Sequence, residues 1–307
     1  MDKVKVNLKE NSYEILIGEG ILKDINKIIT EGNWGNEIVV ITDLLVNRLF
    51  GKKLVSRLKS NIKFSKIITV LIPRGESHKN LLEAEKVYDK LIKASIHRDA
   101  LIIALGGGII GDVAGFIAAT YMRGINYVQV PTTLLAQVDA SVGGKTGVNH
   151  PLEKNLIGAF YQPKAVIIDV NTLAKLPARE LRTGLAEVVK YGIIKDAEFF
   201  KFIEANAHHL NVNAFRSKDT LRAAMKVWQI IVKESIKIKA WVVSEDEKEK
   251  MSKIYKKLME FERQSLSLDV EPDEKKEVEF INNLFKEWKK FKDEMIKITK
   301  KMKESWH

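Results

Sequence analysis

The residues best suited to chemistry gather around glycines. Residues 101–115 read Leu-Ile-Ile-Ala-Leu-Gly-Gly-Gly-Ile-Ile-Gly-Asp-Val-Ala-Gly, an apolar run broken at Gly106, Gly107 and Gly108 and resumed in a helix-compatible pattern. Glycines there let the backbone take φ > 0 and come close to a ligand, while the following helix points free N–H groups at it. That chemistry suits a pyrophosphate. The spacing GGGxxGD is not the GxGxxG dinucleotide fingerprint, and a turn needed only for packing would use the same letters. A second glycine pair lies in Val138-Asp-Ala-Ser-Val-Gly-Gly-Lys-Thr-Gly147, which reads as a flexible loop carrying one acid and one lysine. Its Gly-Gly-Lys resembles part of a phosphate-binding GxxxxGK[ST] frame. That frame needs glycine at 139 and finds Asp139, which excludes the ATPase reading. With no cysteine in the chain, disulfides, thiolate metal sites and a cysteine nucleophile are excluded, leaving His, Asp and Glu as zinc ligands.

The elements that must carry these groups alternate between strand and helix. Lys3 to Leu8 and Tyr13 to Ile17 alternate as a hairpin, and Gly18-Glu-Gly20 opens a helical stretch from Ile21 to Ile29. Glu37 to Thr42 reads as a buried parallel strand whose carboxyl end presents Asp43. In a doubly wound sheet that acid holds a ribose hydroxyl; equally, it caps the next helix. Lys66 to Ile72 is another strand, ending at Pro73-Arg-Gly-Glu-Ser-His-Lys79 and followed by a helix with Leu82, Val87, Leu91 and Ile92 on its apolar face. Tyr127 to Thr133 is strand and then turn. This rhythm predicts an α/β fold in which a parallel sheet gathers ligands along its carboxyl edge. The helix from Asp219 to Ile238 opens an all-helical second part. The expected division is a nucleotide-binding α/β domain over 1–175, a partial helical substrate and metal domain over 176–250, and a charged segment over 251–307.

Composition limits the partners. At 307 residues and 45% hydrophobic, the chain can bury a sizeable core. It has no run of eighteen apolar residues and no apolar leader after Met1-Asp-Lys-Val-Lys-Val, so a cytoplasmic protein with no membrane partner is expected. The formal charge is +11. Residues 251–307 hold 14 basic and 12 acidic groups, which leaves the excess, 37 against 28, in residues 1–250. Spread thinly, it suits a small anionic substrate at least as well as a nucleic acid, and no nucleic-acid partner is expected.

Six segments in order carry a resemblance: Ile103-Ala-Leu-Gly-Gly-Gly-Ile-Ile-Gly-Asp112, Tyr121-Met-Arg-Gly124, Val130-Pro-Thr-Thr-Leu-Leu-Ala136, Val138 to Lys145, Lys154-Asn-Leu-Ile-Gly158 and Ala186-Glu-Val-Val-Lys190. Over about residues 1–249 the chain resembles the 3-dehydroquinate synthase family, including the synthase portion of the fungal pentafunctional shikimate-pathway protein. Gly184-Leu-Ala-Glu-Val-Val-Lys-Tyr-Gly192 favours this family over other sugar-phosphate cyclases. The resemblance implies a reaction that NAD⁺ both starts and finishes, converting 3-deoxy-arabino-heptulosonate 7-phosphate to 3-dehydroquinate and phosphate, with zinc polarising the reacting oxygens. It implies NAD contacts at Asp43, Glu76, Lys79, Gly107, Gly108, Asp112, Thr132, Thr133 and Lys154. Substrate contacts fall on Arg123, Asp139, Lys145, Asn155, Lys190 and Lys239, with Arg123 reaching across a homodimer. Lys145, Lys190 and Lys239 are also expected in catalysis, with Glu249 as a proton acceptor or else a solvated acid in a charged loop. Glu187 matches the first zinc ligand.

The other two family ligands are histidines, in Gly-Leu-Arg-x-Leu-Leu-Asn-x-Gly-His-x-x-Gly-His and a later His-Gly-Glu. Neither motif occurs after Glu249, where the only histidine is His307. The adjacent His208 and His209 would diverge by about 100° on a helix and so chelate one ion poorly. Instead, residues 251–307 carry Ile254, Tyr255, Leu258 and Phe261, a break from Ser265 to Pro272, and a second apolar stripe from Ile281 to Ile298, which predicts a helical hairpin. The expectation is a truncated or rearranged second domain with an incomplete zinc site. Three functions then compete: a working synthase, an NAD-binding remnant without turnover, and a basic interaction module.

Overall fold

A computed structural model describes residues 1–60, 63–215 and 217–245. Strand β1 (Asp2–Val6) pairs antiparallel with β2 (Tyr13–Gly18), which is the expected hairpin. Then follow α1 (Ile25–Gly32), β3 (Glu37–Thr42), and a helical run made of α2 (Leu44–Val46), a π-helical turn (Asn47–Gly51) and α3 (Lys52–Lys59). After β4 (Lys66–Leu71) and α4 (Leu81–Lys93) come β5 (Leu101–Gly106), α5 (Gly108–Thr120) and β6 (Asn126–Pro131). Strands β7 (Lys145–His150) and β8 (Glu153–Phe160) form a separate antiparallel pair, and β9 (Ala165–Asp169) returns to the main sheet. The helical part is α6 (Ala178–Ile194), α7 (Ala197–Ala205) and α8 (Lys218–Glu245).

The seven-stranded sheet runs β1-β2-β9-β6-β5-β3-β4, parallel throughout except at β1. Every residue of β3, β5 and β9 is buried because helices cover both faces. The two-residue period of each strand sorts the core. Ile38, Val40, Leu101 and Ile103 meet α1 and α3 on one face; Val39, Ile41, Ile102 and Ala104 meet α4 and α5 on the other. A third cluster joins β1 and β2 to α6, α7 and α8 around Trp228, which is fully buried. No described helix is long and apolar enough to cross a membrane.

Three local expectations need correction. Residues 138–147 are not a flexible loop: Asp139 sits in a π-helical turn (Ala136–Ala140), and Lys145 opens β7. Only Gly143 and Gly144, with φ of 106° and 66°, need glycine's conformational freedom there. Nor do Gly106, Gly107 and Gly108 use positive φ. They supply room instead: a Cβ on Gly106 would lie 2.7 Å from Ile110 side-chain atoms, and one on Gly107 3.1 Å from Thr133 Cγ2. His208 and His209 share a 3-10 turn (Ala207–His209), and their rings lie 4.0 Å apart rather than diverging. Glu249 and the hairpin expected over 251–307 lie outside the described residues.

Candidate functional site

The carboxyl ends of the parallel strands deliver the nucleotide-type groups to one edge. Gly107 precedes α5 without a side-chain cap, so the N–H groups of the first turn face the space beyond β5. Thr132 and Thr133 follow β6; the Thr132 N–H donates to Gly106 O at 2.9 Å, and Thr133 Oγ1 accepts from the Ala136 N–H at 3.3 Å. Asp43 follows β3, and its Oδ1 accepts from the N–H groups of Leu45 and Val46 at 2.8 and 3.0 Å. The helix-capping alternative therefore holds for Asp43 and uses one oxygen of the carboxylate. Beside it the Thr42 hydroxyl is buried and without a hydrogen-bond partner. A cradle that side chains would fill and a buried hydroxyl at the strand end fit a dinucleotide.

The turn after β4 is built on Gly75 at φ 112° and carries Glu76 and Lys79. Lys79 is buried, and its Nζ donates to Asp112 Oδ2 and Asn155 Oδ1, both at 2.5 Å. Glu76 Oε1 accepts from Asn149 Nδ2 at 2.8 Å, and Asn149 Oδ1 accepts from the Asn155 N–H at 2.9 Å. A cavity of about 780 Å³ opens here, lined by Glu76, Lys79, Asn149, His150 and Lys154 among others. Asn155, expected at the substrate, thus bonds a lysine expected at the cofactor. Burial pushes the Asp112 carboxyl up to about 6; Lys79 opposes the shift without cancelling it, and Glu76 and Asp139 add to it.

Deeper in, the helical part closes over the π-helical turn. Lys239 of α8 places Nζ 2.5 Å from Asp139 Oδ1, and the Tyr191 hydroxyl of α6 donates to the same oxygen at 2.8 Å. Burial alone would raise the Asp139 pKa, but Lys239 and Lys190 outweigh it and hold the carboxyl at about 2. Glu187, Lys190 and Tyr191 lie one helical turn apart on α6; Lys190 Nζ contacts Glu187 Oε1 and lies 5.3 Å from the Tyr191 ring centroid. All three are buried. The structure therefore brings Asp139, Lys190, Lys239 and Glu187 together, although Asp139 and Lys239 are a hundred residues apart in sequence. Lys145, Lys154 and Arg123 are exposed, Arg123 in the turn after α5 with φ 66°. None of the described contacts ties Arg123 to this cluster.

Tyr191 and Asn149 were not singled out from the sequence. Tyr191 had a signal, one turn beyond Glu187 and next to Lys190; Asn149 had none. Among the described residues no three His, Asp or Glu side chains are grouped to hold a metal ion. Glu187 contacts Lys190 there.

Comparison with known proteins adds the following. Residues 69–183 match the family described as 3-dehydroquinate synthase N-terminal, and residues 184–258 match 3-dehydroquinate synthase C-terminal, which runs past Glu249. The chain is 46% identical over 250 residues to the 3-dehydroquinate synthase of Prochlorococcus marinus strain MIT 9515, covering 81% of this chain and 66% of that protein. It is 47% identical over 249 residues to that of Pelotomaculum thermopropionicum, covering 81% and 64%. It spans about two thirds of the length of these relatives. Among solved structures, a 2-deoxy-scyllo-inosose synthase complexed with carbaglucose-6-phosphate, NAD⁺ and Co²⁺ superposes with a TM-score of 0.68 at 26% identity, covering 81% of this chain and 64% of that one. The 2-epi-5-epi-valiolone synthase ValA of Streptomyces hygroscopicus, with NAD⁺ and Zn²⁺ bound, gives 0.63 at 31% identity, covering 74% and 61%.

Proposed function

The chain belongs to the 3-dehydroquinate synthase family, and on that premise we propose that it binds NAD⁺ and 3-deoxy-arabino-heptulosonate 7-phosphate in one cleft between the sheet edge and α6–α8. Bound there, NAD⁺ would supply a reversible hydride acceptor for the carbon that carries one substrate hydroxyl. The resulting ketone acidifies the neighbouring C–H, which allows phosphate to leave by β-elimination. The α5 N-terminus and the room at Gly107 and Gly108 hold the pyrophosphate, with Thr132, Thr133 and Lys154 around it. Asp43, through the oxygen its cap does not use, and Thr42 meet a ribose. Glu76, Lys79 and Asp112 order the turn beside it. Lys190, Lys239, Lys145 and Asn155 receive the doubly anionic substrate, and Asp139 stays ionised to keep two lysines cationic and in place.

The observation that carries this reading is the group formed by Asp139, Lys239, Lys190 and Tyr191, which adjoins the glycine cradle where a Cβ on Gly108 would lie 3.5 Å from Ala140 Cβ. Substrate would be completed by Arg123 of a second copy in a homodimer, in the cytoplasm. Because the described residues do not group three metal ligands, no step here is assigned to zinc, and turnover by this chain alone is not expected. The test is phosphate release from 3-deoxy-arabino-heptulosonate 7-phosphate by the 307-residue chain, with NAD⁺ and zinc supplied and omitted in turn. The expected result is NAD⁺ binding without release. Zinc-dependent release would replace this reading with a working synthase, and salt-sensitive retention on nucleic acid without NAD⁺ binding would replace it with a basic interaction module.

A further inference from the structure

We propose that Tyr191 is a positioning residue that sets the substrate-binding geometry of Asp139 and Lys190 together. This rests on the proposed function above. Tyr191 is 2% exposed, yet its phenol is committed at both ends. Its hydroxyl donates to Asp139 Oδ1 at 2.8 Å, the same oxygen that Lys239 Nζ approaches at 2.5 Å. Its ring lies 5.3 Å from Lys190 Nζ. A carboxylate held through one oxygen by two donors from different helices cannot rotate about its Cβ–Cγ bond without breaking one of them. The aromatic face meanwhile gives Lys190 a second attraction besides Glu187.

The consequence is an order of dependence. Lys239 comes from α8, Asp139 from the turn after β6, and Lys190 from α6; among the described contacts Tyr191 is the side chain that bonds the second and touches the third. Its two halves make separable contributions, the hydroxyl acting on Asp139 and the ring on Lys190. Neither touches the glycine cradle, so NAD⁺ affinity should be indifferent to both.

Two variants separate these parts. Tyr191→Phe keeps the ring and removes the hydroxyl; Tyr191→Met fills similar space and removes both. Calorimetric titration of 3-deoxy-arabino-heptulosonate 7-phosphate into the full chain saturated with NAD⁺ is expected to show about tenfold weaker binding for Tyr191→Phe. Tyr191→Met is expected to be weaker again. NAD⁺ affinity and the thermal midpoint of Tyr191→Phe should stay near those of the parent chain. Parallel loss of NAD⁺ affinity and stability would make Tyr191 a packing residue and overturn the inference. Equal substrate affinity in parent and Tyr191→Phe would overturn it while leaving the proposed function standing. A parent chain that binds NAD⁺ but not the phosphorylated acid overturns both.

Discussion

Two partly buried aspartates set the behaviour of single residues, and they are displaced in opposite directions. Asp139, held at about 2 against an ordinary 3.8, adds stability that is fully present above pH 4 and is lost as pH falls towards 2. Asp112, raised to about 6, does the reverse: the folded chain holds a proton that the unfolded chain has released, so stability falls as pH rises from about 4 to about 6. The full window is worth about 3 kcal/mol at most. Asp112→Asn should flatten the pH dependence of the thermal midpoint between pH 4.5 and 6.5, as followed by circular dichroism; an unchanged slope would place the titration elsewhere. Asp139→Asn removes the carboxylate that the buried Lys239 pairs with and should cost about 3 kcal/mol in urea unfolding at pH 7. None of this pairing was legible from spacing. Asp139 was read only as the acid of a glycine loop and, like Lys239, took a substrate role only through resemblance; Tyr191 escaped because a tyrosine on an apolar helix face looks like core.

At the scale of elements, the sequence was most legible where a period repeats. Strands β3 and β5 announce themselves as apolar runs ending at Asp43 and Gly106, and α8 follows its apolar spacing through Ile238. Residues 138–147 misled because Gly143 and Gly144 signal a loop. The backbone spends those glycines on one tight bend, and pairing with β8 makes a strand of the rest. At the β5–α5 turn the glycines are needed for space, so different positions should fail differently. Gly106→Ala drives a Cβ to 2.7 Å from Ile110 Cβ and Cγ1 and should lower stability measurably in thermal unfolding. At Gly108 the nearest atom to a Cβ is Ala140 Cβ at 3.5 Å, an ordinary contact. Gly108→Val should therefore fold normally but weaken NAD⁺ by tenfold or more, because its side chain occupies the pyrophosphate's approach.

For the whole molecule, the charge is less evenly spread than its total suggests. Residues 44–75 hold eight basic residues and no acidic one, spread over the π-helical turn, α3, β4 and the loops beside them, β4 being the edge strand of the sheet. On β8, Leu156 and Phe160 are exposed, at 71% and 52%. Leu156 and Phe160 are the sites at which we propose to test the homodimer that the family resemblance implies. Replacing both residues by aspartate should convert a species of twice the chain mass to a single chain in sedimentation equilibrium; no change would move the interface elsewhere. Among the described residues no three metal ligands are grouped, so NAD⁺ binding is measured apart from turnover. Calorimetric titration of the 307-residue chain with NAD⁺ tests the nucleotide site at the β5–α5 turn. One saturable site per chain, lost in Gly108→Val, is expected; absence of saturable heat from the folded parent chain would contradict a nucleotide site there.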